Sequence, residues 1–413
     1  MESIAKTLND DLVNVAKSIH VLEHISWPMN IQKQFLKDWK QGCPRLPKME
    51  YGTVDFSESI SQLERIATSA SKLDNPVGSY LAETAISYSS IANLLMQTGT
   101  PRAGDLAVEI YGKPGSAIPG SKQTNLDAAR YFTKVSRDYV LDQNERVSPY
   151  VLSAESVASE MQQRIGEVIT EDKITVKLDT KLASKAAAGA TRIRLREGTY
   201  FSRNDVEQLL QHEAFVHSLT ALNGRKQPNL TALSLGAPRT TAAQEGLATF
   251  AELVTGSVDI ARMARLAQRV EAIDRALSGA DFIEVFRSLI ECGLDEVESF
   301  NSTMRVFRGV PVTGGYAFTK DVVYMTGLLE VHTFFRWALL NKKMSLCDLL
   351  FAGRMKLTDA LLLEEAYSTG EISKPYYLPA WMKDTTSLTA YLAFAIFSDE
   401  IIVAGVDSDA FNI

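Results

Sequence analysis

The stretch QHEAFVHSLTALNG begins at Gln211, and three of its side chains could do chemistry together. His212 and His217 offer imidazole nitrogens, and Glu213 sets a carboxylate beside the first of them. Those are the parts of a metal-assisted hydrolase, in which rings hold a Lewis-acidic ion and the carboxylate takes a proton from water. The usual spacing puts the histidines four apart on one helical face, and here they are five apart. At 3.6 residues per turn that step rotates the second ring by roughly 140° from the first. A regular α-helix would aim the rings at different places. A turn widened by one residue around 214–216, with an i→i+5 bond, returns them to a common face. By spacing alone two readings stay open: a metal pair on a π-bulge, or two core histidines that share a helix by chance.

A catalytic zinc takes three protein ligands and leaves a position for water. Downstream, residues 240–252 read TTAAQEGLATFAE, a helix start that sets Glu245 among small residues. Burying a carboxylate there is costly unless it is paired or bound to a cation. The alternative is a first-turn glutamate favoured by the helix dipole. Gly246 would let another backbone approach. Glu252, seven residues on, could accept from a ligating imidazole or simply face solvent.

The elements that must position these groups come next. SRNDVEQLLQHEAFVH carries an apolar stripe of Val206, Leu209, Leu210, Val216 and Leu219, which should fix the histidine helix against a core. Just before it, ITVKLDT and TRIRLREGTYF alternate like half-buried strands, with Ile193 and Leu195 opposite Arg192, Arg194 and Arg196. The arginines suggest a sheet edge, either guarded by charge or open to an extended peptide. Ser153 should cap a helix. The first 145 or so residues read as mainly helical, with a stripe of Leu12, Val15, Ile19, Leu22 and Ile25 and a helical hairpin turned at NPVG. The expectation is an α+β, mainly helical protein: a helical subdomain over 1–148, a core with the histidine helix and a small sheet over 149–385, and a packing segment over 386–413. LTAYLAFAIF in that last segment is too short to span a bilayer and reads as a buried helix or strand.

Composition narrows the class. A net charge of −7 argues against a nucleic-acid partner. Cys43, Cys292 and Cys347 form no C-x-x-C pair, which fits a reducing cytoplasm. The first twenty residues lack a basic stretch leading into an apolar run, so no secretory signal is expected, and no membrane partner is expected either. His20 and His24 are four apart without a third ligand nearby, and His332 lies in the apolar run LLEVHTFFRWALL; both read as structural.

Taken in order, HEAFVH, NGRKQP (Asn223, Gly224, Gln227, Pro228) and QEGLA (Gln244 to Ala248) resemble the family named for its QEGLA motif. Its bacterial members are labelled flavohaemoglobin-expression-modulating proteins, and its animal members include the microtubule-associated tyrosine carboxypeptidases. EIYGKP from Glu109 and RVFRGVPVTGGYAFTKDVVYMTG from Arg305 also look like the family's, and the resemblance covers residues 20 to 380. It implies that the core over 149–385 is a zincin-like metallopeptidase core, with Zn2+ held by His212, His217 and Glu245, and Glu213 as general base. It also implies hydrolysis at the C-terminus of a peptide or protein, with a tyrosine or aromatic preference. Tyr324, Arg305, Arg308 and Lys320 are the candidates for the oxyanion donor and for the substrate's terminal carboxylate, with Arg308 as a turn cap and Lys320–Asp321 as a surface pair the plainer reading. The RGVPVTGGY glycines read either as a mobile loop over the site or as an ordinary turn cluster. The N-terminal helices carry no strong basic stripe, so microtubule binding is not carried over. Two other functions fit the same residues: a non-catalytic regulator that keeps the fold, and a zinc hydrolase of another amide or ester. Oligomeric state is not legible.

Overall fold

Short polar side chains start several of the helices, because the first turn of a helix leaves its N–H groups without partners. In the computed structural model, which describes residues 2–142, 151–180, 182 and 185–401, Asn75 caps the helix Pro76–Met96 by accepting from Gly78 N. Ser153 likewise caps Ala154–Val168. Ser202 and Asp205 close a capping box at the start of Arg203–Leu209. Most of the described chain is helical, with two small sheets. The expected hairpin is present as Ser57–Ser71 against Pro76–Met96.

The first sheet pairs β1 (Leu152–Ser153) with β5 (Tyr200–Phe201), antiparallel. The second has the order β2 (Thr175–Asp179), β4 (Arg192–Arg196), β3 (Ala186–Ala188), with β4 parallel to β2 and antiparallel to β3. The expected alternation holds, since Ile193 and Leu195 are fully buried while Arg192 and Arg194 are exposed. The edge assignment does not hold. β4 is the central strand, so its arginines cover a sheet face, and Arg194 pairs with Asp179 at 3.1 Å on neighbouring β2. The strand that flanks the histidine helix is β3, whose end is tied to it by Ser218 Oγ donating to Gly189 O at 2.8 Å.

One apolar cluster runs from Leu8 through the sheet to Leu392, and a smaller one lies between Asn125–Asp142 and Ile260–Leu277. The expected boundary between residues 148 and 149 falls outside the described residues. Two further expectations need correcting. The N-terminal stripe is interrupted between the helices Glu2–Ala16 and Val21–Ile25, so Leu22 faces solvent. The segment at 388–397 lies in the helix Thr385–Ser398, which buries only one face: Leu388 and Leu392 are buried, whereas Phe394 and Phe397 are 73% and 69% exposed. Among the described residues no helix is long and apolar enough to cross a membrane.

Candidate metal centre

The histidine helix starts as α-helix over Arg203–Leu209, becomes π-helix over Leu210–Ser218 and returns to α-helix over Leu219–Arg225. Leu219 N donates to Ala214 O, the i→i+5 bond of a widened turn. The widening that the five-residue spacing demands is therefore present, and it extends over nine residues rather than one local bulge. Val206, Leu209, Leu210, Val216 and Leu219 are all buried, as their stripe predicts. His212 and His217 end with ring centroids 4.8 Å apart.

Glu245 arrives on the next helix, Thr241–Val254, one residue before a helix crossing. A Cβ on Gly246 would stand 2.2 Å from the backbone of Gly327, and one on Gly327 would stand 2.0 Å from Ala242 O. Thr241–Val254 and Val323–Leu340 thus touch backbone to backbone, which only glycine permits. Gly246→Ala is expected to destabilise by roughly 1–3 kcal/mol or more, because neither backbone can yield; urea denaturation with and without Zn2+ measures it.

Glu245 Oε2 lies 3.3 Å from His212 Nε2 and 3.4 Å from His217 Nε2. Among the described residues this is the one trio of such side chains whose ligand atoms converge, all within 4.8 Å of one another. Two imidazoles and a carboxylate are a donor set that suits a catalytic zinc, so the residues present fit the ion. Burial opposes charge on Glu245, but Lys320, with Nζ 3.2 Å from Oε1, and the two histidines hold its carboxyl well below the usual range.

The second nitrogen of His212 is held from behind. Nδ1 lies 2.6 Å from Glu252 Oε1, which leaves Nε2 for the trio. Of the two readings of Glu252, the solvated one fails, since the residue is fully buried. Arg262 donates to it through Nε at 3.2 Å and Nη2 at 3.1 Å, and Gln208 at 3.3 Å. Burial would raise the Glu252 carboxyl, yet Arg262 and His212 bring it down to about 2. For His212 burial works against the cation, but hydrogen bonds to Glu245 and Glu252 and the nearby Glu213 push it up to about 10. The carboxylates around the His212 ring favour positive charge there, which suits a divalent ion.

The block from Arg305 on divides in a way the sequence does not reveal. Arg305 is engaged by Asp321 through Nε and Nη2, both at 2.6 Å. Lys320 is engaged by Glu245. The plainer reading of Lys320 and Asp321 as a surface pair is therefore overturned, because each belongs to a different, enclosed ion pair. Tyr324 sits between two cations, with Lys320 Nζ and the Arg269 guanidinium each 5.5 Å from its ring, and lies 6.5 Å from the His212 ring in a stacked orientation. Arg308 is buried over the ring of Phe318 at 5.1 Å, and its Nε has no hydrogen-bond partner. Burial and the neighbouring Arg305 lower it to about 10. The glycine-rich stretch is a pinned turn: Phe282 N donates to Val312 O, Gly315 N to Ala276 O, and Gly314 abuts the backbone of Gly279.

With this arrangement in view, the model of one protein family matches residues 33–400, that of the microtubule-associated tyrosine carboxypeptidases. The chain belongs to that family. A comparison with curated proteins finds no match.

In this carboxypeptidase-family chain the remaining motif residues act as clamps. Asn223 donates to Phe351 O and Tyr377 O and accepts from Tyr377 N, and Gln227 does the same for Ala352, Ser373 O and Ser373 N. Gly224 lies flush on Leu233, where a Cβ would stand 2.5 Å from its backbone. Gln244 accepts from Thr220 at 2.9 Å, tying the Glu245 helix to the histidine helix. Tyr111 of EIYGKP packs edge-on against Phe318, the ring beneath Arg308. His332 packs between Phe250 and Tyr391, and His24 against Phe56, as structural histidines do. Sequence reading missed Gln208, Arg262, Arg269 and Arg354. Arg262 and Arg269 are seven apart on one helix, so their shared face was available as a signal.

Proposed function

We propose that the chain is a zinc-dependent carboxypeptidase that removes the last residue, tyrosine or another aromatic, from a peptide or protein C-terminus. The observation that carries this reading is the meeting of His212, His217 and Glu245 across a π-helical turn, with Glu252 behind His212. Those three side chains would hold the zinc, which when bound would supply Lewis acidity for the scissile carbonyl and a more acidic water. Glu213 takes the proton of the attacking water and passes it to the leaving amine. Tyr324, fixed between Lys320 and Arg269, donates to the oxyanion that develops on the carbonyl. Arg305 and Lys320 act through Asp321 and Glu245, whose charges they balance. Arg308, which has no acid partner among the described residues, takes the substrate's terminal carboxylate with its guanidinium fork.

The test is metal analysis of the purified protein together with mass spectrometry of tyrosine-ended peptides after incubation. One zinc per chain and loss of the terminal residue are expected; zinc without trimming would favour a regulator or a hydrolase of other bonds. Arg308→Met is expected to lower kcat/KM roughly ten- to hundredfold, the worth of about 1.5–3 kcal/mol for a hydrogen bond to a charged group. Residual binding of the same peptide with an amidated C-terminus should not change, and competition assays read that difference.

A further inference from the structure

Arg354 lies in the short turn between Ser345–Ala352 and Leu357–Leu362, outside every motif that points to the site. Its backbone is held on both sides: its N–H donates to Leu233 O at 2.6 Å, and Tyr80 Oη donates to its carbonyl at 2.9 Å. Gly353 before it is pressed onto Leu233, where a Cβ would stand 2.5 Å from that residue's own Cβ. The guanidinium is thus delivered from a fixed base. Its one hydrogen bond among the described residues runs from Nη2 to the backbone oxygen of His217 at 3.0 Å, and Nε is buried without a partner.

A cation donating to a carbonyl inside a helix is a strong local contact, since charge-assisted bonds exceed neutral ones. The carbonyl it selects belongs to the second histidine, one residue before the π-helical segment ends. If the widened turn reverted to α-geometry, the residues beyond it would rotate by one residue step, about 100°. The His217 oxygen would leave the guanidinium and its ring would leave the trio. We infer that Arg354 is a positioning residue for the metal site, which locks the widened turn through the carbonyl of His217 and so aims that imidazole. The inference rests on the metal reading proposed above and adds a residue to it.

The experiment measures Zn2+ affinity by competition with a chromophoric chelator, and the visible spectrum of the Co2+-loaded protein as a readout of ligand geometry. Arg354→Met is expected to weaken Zn2+ binding roughly 10- to 100-fold, the range for partners that orient a ligand, and to alter the Co2+ bands. Arg354→Lys, which keeps the charge and loses the fork, should restore part of the affinity. Gly236→Ala leaves the arginine in place but sets a methyl 2.9 Å from its Nη1, so it should shift affinity in the same direction by a smaller amount. A purely structural role would lower Tm and leave both metal readouts at wild-type values, and that result in folded Arg354→Met overturns the inference. If Arg354→Met does not fold, Gly236→Ala decides by the same criterion. A wild-type protein that holds no zinc would overturn the metal reading and this inference together, so the two failures are told apart.

Discussion

Glu213→Gln is expected to lower turnover of a tyrosine-ended peptide roughly 10²- to 10⁴-fold, the contribution of a positioned general base. Glutamine keeps the shape of the side chain and its hydrogen-bonding reach but accepts no proton at neutral pH. Glu213 is not one of the three converging side chains, so zinc content and Tm should stay at wild-type values. Released tyrosine, followed chromatographically beside metal analysis of the same sample, separates the two effects. Full turnover in a zinc-loaded Glu213→Gln protein would assign the proton transfer to another group.

Glu252→Ala is expected to damage both stability and metal binding. The residue is completely buried and satisfies His212 Nδ1 and Arg262 at once. Removing it leaves a largely enclosed guanidinium, 12% exposed, without its counter-ion, a loss approaching the roughly 3–5 kcal/mol of fully buried pairs. The imidazole also loses the partner that fixes its orientation, which typically costs roughly 10- to 100-fold in metal affinity. Urea denaturation of the metal-free protein reads the first loss and chelator competition the second. The wild type should show the stability loss on acidification. The Glu252 carboxyl titrates near 2 in the fold against an ordinary value of 4.5. Its stabilisation is therefore complete above pH 4.5 and disappears as pH falls through about 2.

The convergence of His212, His217 and Glu245 was legible through the motifs taken together, whose family resemblance implies that set, whereas the five-residue spacing alone left two readings open. Helix geometry added a condition, that rings five apart share a face only across a widened turn, and the turn is there. Gly246 was legible for a similar reason, since a glycine beside a costly carboxylate signals close approach. The place of β4 was not. Alternation tells which side chains share a face but not which strands are neighbours, and β4 takes its central place by parallel pairing with β2 across an intervening strand. Nor does β3, read as three alanines, announce itself by any pattern. Partners of the basic residues were hidden too. Arg305 is spent on Asp321 across the turn that follows its helix, and Lys320 on Glu245 of a helix distant in sequence, which leaves Arg308 without an acid among the described residues.

The contact at Gly246 and Gly327 has a mechanical consequence. Glu245 precedes one glycine by a single residue, and Tyr324 precedes the other by three. With nothing but hydrogen between the two chains at that joint, neither rod can slide without dragging the other. The carboxylate of the candidate trio and the Tyr324 phenol, on separate helices, are therefore geared together, and their spacing has no slack. Any relative motion of these two helices has to pivot elsewhere, which makes this joint the fixed jaw of the vice.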